Sequence, residues 1–163
     1  MIRVDVLVWV TEATWPACVD AVRTHVPTDA AVTLLYVADD DIAGAASGAF
    51  AGLLGRSGQD RARRVVELVA TSGQELLEAA AEDLGRAATM VQRHGRVERE
   101  VVQAVVDLDA DLLVLARDGD LRRLGPHSLG SAARFVVDHA PCATLLVWPG
   151  STPEVGSIPP PPH

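Results

Sequence analysis

The apolar residues of this chain follow two alternating patterns that predict strands and helices in turn. Short runs rich in Val and Leu predict five strands, at residues 3–10, 31–37, 88–92, 111–116 and 142–148. Apolar residues spaced three or four apart predict four helical segments between them, at residues 14–26, 60–84, 98–108 and 130–139. Such alternation indicates right-handed crossovers and an open parallel sheet with helices on both faces, a three-layer α/β fold.

Two segments lack these patterns. Residues 39–58 open with Asp39-Asp40-Asp41 and continue mainly in Ala, Gly and Ser, which predicts a mobile or only partly helical excursion. Residues 150–163 are rich in Pro, Gly and Ser, which predicts an extended, disordered tail. Thr71-Ser72-Gly73 is a candidate break in the second helix, and Gly85 is placed to end it. The chain is therefore predicted to hold one domain over residues 1–149 and a tail.

Charge and composition narrow the class of protein. The formal net charge is −8, from 22 acidic and 14 basic residues, and all the basic residues are arginine. A uniformly acidic surface argues against binding to nucleic acid or anionic membranes. The sequence has no apolar run long enough for a membrane span, and its start enters a strand pattern directly, so we expect no signal peptide. With only two cysteines, Cys18 and Cys142, we expect a cytoplasmic protein.

The loop after the fourth predicted strand, residues 117–131, carries the strongest chemical signal. Gly119 allows a sharp turn, and Gly130 allows close backbone approach where the next helix starts at Ser131. A helix N-terminus offers unsatisfied N–H groups and partial positive charge, which favour phosphate, and Arg122 and Arg123 add mobile charge. A purely structural loop with solvated arginines is the alternative, because short glycine motifs recur by chance.

The segments from Asp111 to Gly119 and from Leu129 to Val147 resemble the C-terminal half of the universal stress protein family. That family ends with a strand, a glycine loop, a Gly-Ser helix start, a His-Ala-Pro-Cys turn and a last apolar strand. The resemblance covers residues 3–149 and implies a Rossmann-like, adenine nucleotide alpha hydrolase-like sheet with strand order 3-2-1-4-5. In a sheet of that order, ligands bind beyond the carboxyl ends of strands one and four.

The resemblance also implies a nucleotide site, with departures from the family's pattern Gly-x2-Gly-x9-Gly-Ser/Thr. Ala116 stands at the first glycine, and ten residues instead of nine separate Gly119 from Gly130. Thr11 stands where an Asp is common, and Trp9 places a bulky ring near the adenine pocket. Loss of a charged hydrogen bond predicts weaker ATP binding, by about tenfold or more. The predicted site residues are Trp9, Thr11, Val37, Ala116, Gly119, Arg122, Arg123, Gly130, Ser131 and Ala132.

Two functions follow as nearly equal hypotheses. The first is a cytoplasmic stress-response protein that binds ATP or another adenine nucleotide weakly. The second is a dimeric interaction or scaffold protein of the same family whose phosphate loop is degenerate. For both, the resemblance implies a homodimer through the last strand, Ala143 to Trp148, an apolar edge that pairing would cover.

Dedicated catalytic or metal chemistry is not expected. Asp39-Asp40-Asp41 is most simply a solvated loop, and His139 with Cys142 lacks an oxyanion loop. Slow ATP hydrolysis is a weaker third hypothesis, for which only His127 or Asp120 could act as the base. The acidic pair of a phosphorylation receiver, the Ser-Gly-Gly loop of a pyrophosphatase and the Rossmann dinucleotide fingerprint are all missing after strand one.

Overall fold

The computed structural model describes residues 2–41 and 56–162. Its strands are β1 (Asp5–Trp9), β2 (Ala31–Asp39), β3 (Thr89–Gly95), β4 (Leu112–Ala116) and β5 (Ala143–Val147). Its helices are α1 (Trp15–His25), α2 (Arg56–Leu84), α3 (Val97–Asp107) and α4 (Ser131–His139). Residues 42–55, the larger part of the predicted excursion at 39–58, lie outside the described residues; Asp39 ends β2, and residues 56–58 begin α2. The structure describes no helix that is both long and apolar enough to cross a membrane.

The five strands of the described chain form one parallel sheet in the order β3-β2-β1-β4-β5. Strand β1 lies at the centre, where Leu7 pairs with Thr33 of β2 on one side and with Leu113 of β4 on the other. The predicted order 3-2-1-4-5 is therefore confirmed. The chain reverses its direction of winding between β1 and β4, so the carboxyl ends of these two strands flank a crevice.

Both faces of the sheet are covered, which produces three layers. On β1, Val6 and Val8 face a cluster that includes Val19 of α1 and Leu77 of α2. The alternate residues of β1 face a second cluster on the opposite side, built with α3 and α4. Its buried members include Leu7, Trp9, Val101, Val105 and Val136. Helices α1 and α2 thus cover one face, and α3 and α4 cover the other, as predicted for a parallel sheet.

Helix α2 runs unbroken through Thr71, Ser72 and Gly73, so the predicted break there is wrong. The hydroxyl groups of Thr71 and Ser72 donate to carbonyl oxygens one turn earlier, which satisfies them inside the helix. Gly73 is buried, and a Cβ atom at this position would lie 2.4 Å from Cδ1 of Tyr36 on β2. The glycine therefore serves close packing of the helix on the sheet. Gly85, with φ of 70°, ends the helix as predicted.

The tail after Pro149 contacts the loop that follows β4. Residues Val155–Ser157 form one turn of 3-10 helix, and the backbone N–H of Leu124 donates to Oγ of Ser157 at 3.0 Å. Val155 and Ile158 are exposed. The boundary at residue 149 and the disorder of the tail in solution stay predictions, and protection of the Leu124 amide from hydrogen exchange would measure this contact.

Replacement of Gly73 by alanine tests the close approach of α2 to β2. Alanine favours a helix by about 1 kcal/mol, but the added methyl group meets the Tyr36 ring, and overpacking costs about 1–3 kcal/mol. We expect Gly73→Ala to lower the free energy of unfolding by about 1 kcal/mol in urea denaturation. The exposed neighbour Ser72→Ala is the control and should change it by less than about 0.5 kcal/mol. A more stable Gly73→Ala variant would contradict this packing.

Candidate functional site

An open hollow of about 500 Å³ lies at the carboxyl ends of β1 and β4. Trp9 is the last residue of β1 and Ala116 the last of β4, so the hollow coincides with the crevice where the strand order reverses. Its size falls within the range of small-molecule sites. Among the described residues, its lining consists of Trp9, Thr11, Ala13, Thr14, Ala116, Arg117, Asp118, Leu121, Pro149 and Gly150.

A pair of threonine hydroxyl groups lies on the β1 side of the hollow. Oγ1 of Thr11 and Oγ1 of Thr14 are 2.6 Å apart. Thr14 occupies the N-cap position of α1, but its side chain makes no capping hydrogen bond. Its hydroxyl is instead engaged by Thr11. Trp9 is 6 % exposed and packs in the cluster shared with α3 and α4, so most of its ring is buried in the core.

Gly119 lies where two parts of the loop after β4 cross closely. Its N–H donates to the carbonyl oxygen of Ser128 at 2.9 Å, and the N–H of Asp120 donates to that of His127 at 2.8 Å. A Cβ atom on Gly119 would lie 2.2 Å from the carbonyl oxygen of His127. The missing side chain therefore makes room for the loop's own backbone.

The carboxylate of Asp118 sits at the start of α4, an arrangement that the sequence analysis missed. Its Oδ1 accepts a hydrogen bond from the backbone N–H of Gly130 at 2.7 Å. A Cβ atom on Gly130 would lie 2.6 Å from that same oxygen. The close approach predicted at Gly130 is thus made by an internal carboxylate. The preference of helix N-termini for carboxylates was the one signal that could have indicated Asp118.

The two arginines predicted to add mobile positive charge for a phosphate lie at the surface. Arg122 donates from Nε to Oδ1 of Asp120 at 2.9 Å, and its side chain is 88 % exposed. Hydrogen bonds from the Arg122 side chain and backbone, followed by the charge of Arg122, lower the pKa of Asp120 to about 2. Arg123 is exposed. Neither arginine lines the hollow as the described residues define it.

Arg117 is the arginine at the hollow, and sequence reasoning missed it too. Its guanidinium lies over the ring of Trp148, 5.1 Å from the centroid, and donates from Nη1 to Oγ of buried Ser128 at 2.5 Å. Its backbone N–H donates to the carbonyl oxygen of Val147 at 2.9 Å. These contacts hold the cation between the end of β5 and the loop.

The structure brings together only part of the predicted site. Trp9, Thr11 and Ala116 line the hollow. Val37 is buried in the same cluster as Trp9. The remaining predicted residues lie along the loop and the first turn of α4, outside the lining found over residues 2–41 and 56–162: Gly119, Arg122, Arg123, Gly130, Ser131 and Ala132. Their contact with a nucleotide stays a prediction. In the same ranges, no group of three or more His, Cys, Asp or Glu side chains could hold a metal ion.

Gly119→Ala tests whether the stability of the protein depends on the close approach of the two loop segments at Gly119. The added methyl group would meet a carbonyl oxygen that cannot move without the chain, so the loop must shift. We expect the free energy of unfolding to fall by about 2 kcal/mol. Gly156→Ala in the tail is the control, because a Cβ atom there would meet nothing within 4 Å. Equal stability of the two variants in thermal denaturation would refute the crossing.

The fold and the crevice define an α/β protein of the doubly wound class with a small-molecule-sized hollow at its switch point. The chain belongs to the universal stress protein family, whose model matches residues 6–147. A search of the curated proteins found no match.

Solved structures share this fold at low sequence identity. The hypothetical protein MJ0577 is 16% identical with a TM-score of 0.71, over 93% of this chain and 100% of that one. A universal stress protein family protein from Arabidopsis thaliana, solved with AMP bound, is 16% identical with a TM-score of 0.62, over 91% and 94%. A universal stress protein in complex with cAMP is 16% identical with a TM-score of 0.57, over 91% and 98%.

Proposed function

We propose that this protein binds an adenine nucleotide weakly in the hollow between β1 and β4. The observation that carries the proposal is the open volume of about 500 Å³ at the switch point of the sheet, lined by Trp9, Thr11 and Ala116. Two proteins of similar fold, solved with AMP bound and in complex with cAMP, support an adenine ligand. The Thr11–Thr14 hydroxyl pair, at the lining of the hollow, offers hydrogen bonds to a base or ribose.

We propose a binding role without efficient catalysis. Asp120 has a pKa of about 2 because Arg122 donates hydrogen bonds to its carboxylate, and so weak a base is a poor proton acceptor at neutral pH. His127 is exposed, and its contribution to the loop is the carbonyl oxygen that accepts from Asp120. Neither residue is among those that line the hollow in the described chain, which disfavours the hydrolase hypothesis.

Filling the hollow from its rim tests the proposed site. Ala13 is exposed and lines the hollow, so Ala13→Trp should block it without disturbing the core. We expect AMP affinity, measured by isothermal titration, to fall at least about tenfold. The control is Ala87→Trp, at an exposed residue just before the amino end of β3. The hollow, in contrast, lies at the carboxyl ends of β1 and β4. AMP binding that is absent from the wild type, or equal in both variants, would reject the site.

The second candidate is an interaction or scaffold protein that binds no nucleotide. Contacts within the loop favour it: Asp118 occupies the amide of Gly130, and Asp120 pairs with Arg122. Both contacts use groups that a phosphate would need. The absence of heat with adenosine, AMP and ATP would select this candidate.

We also propose a homodimer formed through β5. Strands β3 and β5 are the two edges of the sheet. The β3 sequence TMVQRHG carries Arg93 and His94, which discourage edge pairing, whereas the β5 sequence ATLLV carries no charge. An uncharged edge strand with an exposed start is the side on which a second copy can pair.

A charge on the β5 edge should disrupt the dimer. Thr144 is exposed, and a two-fold axis near it would bring two introduced carboxylates together. We expect Thr144→Glu to raise the dimer dissociation constant at least about tenfold in sedimentation equilibrium. Thr89→Glu places the same charge on an exposed residue of the other edge, and it should leave the wild-type state unchanged. A monomeric wild type, or dissociation caused by Thr89→Glu instead, would contradict pairing through β5.

A cytoplasmic stress-response role is part of the same proposal. Family membership supports the stress-response assignment. Cys18 and Cys142 are both free thiols, which suits a reducing compartment. Burial raises the pKa of the Cys18 thiol to about 12, so this group is unreactive in the fold.

A further inference from the structure

Asp118 connects the hollow to the first turn of α4. Asp118 is among the residues that line the hollow, and its Oδ1 accepts the hydrogen bond from the N–H of Gly130. This contact requires a glycine at position 130, because a Cβ atom there would lie 2.6 Å from Oδ1. The protein's own carboxylate thus takes the backbone donor at which a phosphate of a bound nucleotide would be expected.

A phosphate that reaches from the hollow to the Gly130 amide meets two obstacles. It must displace a charge-assisted hydrogen bond from the Gly130 amide, and it then faces the displaced carboxylate at close range. The second obstacle, repulsion from the carboxylate, grows with the negative charge that the ligand brings. An uncharged ligand that occupies only the Thr11 and Ala116 side of the hollow meets neither.

Two of the nearby cations, Arg117 and Arg122, are engaged by other groups. Arg117 is held by Ser128 and by the ring of Trp148. Arg122 is paired with Asp120 at the surface. A ligand phosphate would have to compete for either guanidinium, so these contacts do not offset the charge of Asp118.

We infer that Asp118 is a specificity-determining residue that ranks ligands by phosphate charge, so that adenosine binds more tightly than AMP, and AMP more tightly than ATP. This inference rests on the proposed function, since it concerns the same hollow. In this arrangement the hollow binds the nucleoside part of the ligand, and each added phosphate weakens binding. In a site built to hold phosphate, the order would be the reverse.

Titration of the wild-type protein with the three ligands gives the first test. At fixed ionic strength and without Mg²⁺, we expect ATP to bind at least about tenfold more weakly than adenosine, with AMP between them. Equal affinities, or tighter binding of ATP, would overturn the inference. If none of the three ligands binds, the proposed function itself fails, and the inference fails with it.

Two substitutions at residue 118 give the second test. Asp118→Asn removes the charge and keeps an oxygen that can accept from Gly130, and Asp118→Ala also frees that N–H. We expect ATP affinity to rise at least about tenfold in both, and more in Asp118→Ala, while adenosine affinity changes less than about threefold. A purely structural role for Asp118 would weaken all three ligands alike and leave their order unchanged.

Asp138→Asn is the matched control. It removes the same charge from an exposed residue near the other end of α4, so it leaves the start of the helix untouched. Its ligand order should match that of the wild type. If this variant also gains ATP affinity, overall charge and not Asp118 sets the order, which would refute the inference. Should the Asp118 variants fail to fold in thermal denaturation, the wild-type order alone decides.

Discussion

Burial of β1 on both faces is the constraint on which the rest of the architecture depends. Leu7 is 1 % exposed and Val8 is 0 % exposed, and their side chains point to opposite sides of the sheet. Helices must therefore cover both faces, since neither can meet water. To place helices on both faces with right-handed crossovers, the chain reverses its winding beside β1. The crevice between β1 and β4, and with it the hollow, follows from this reversal.

The conformation of the loop after β4 is fixed by contacts among its own residues. Gly119 accommodates the carbonyl of His127, Gly130 accommodates the carboxylate of Asp118, and Arg117 donates to Ser128. In the last two contacts, the Gly130 N–H and the Arg117 guanidinium are donors to which a phosphate could otherwise bind. Family membership supports a nucleotide in the crevice. The contacts within the loop, in contrast, limit the negative charge that a bound nucleotide can carry.

Most of the fold could be predicted from the sequence because buried strands and amphipathic helices impose periodic patterns. The errors occur where a distant partner overrides the local signal. Strand β3, predicted to end at residue 92, continues to Gly95 because Val37, Ala38 and Asp39 of β2 supply pairing partners. Helix α2 continues through Gly73 because Tyr36 fills the space of the missing side chain. Neither partner is visible in a local window of sequence.

The candidate site was harder to predict for a related physical reason. Asp118 and Gly130 are twelve residues apart, on a loop without periodicity, so no pattern relates them. A glycine in the sequence indicates only that some group approaches the backbone closely. It does not distinguish a ligand phosphate from a carboxylate of the protein itself. What separates the two is the charge already present at the helix start. In this loop the donor that the motif offers is paired within the chain, and the binding properties of the crevice depend on the carboxylate that holds it.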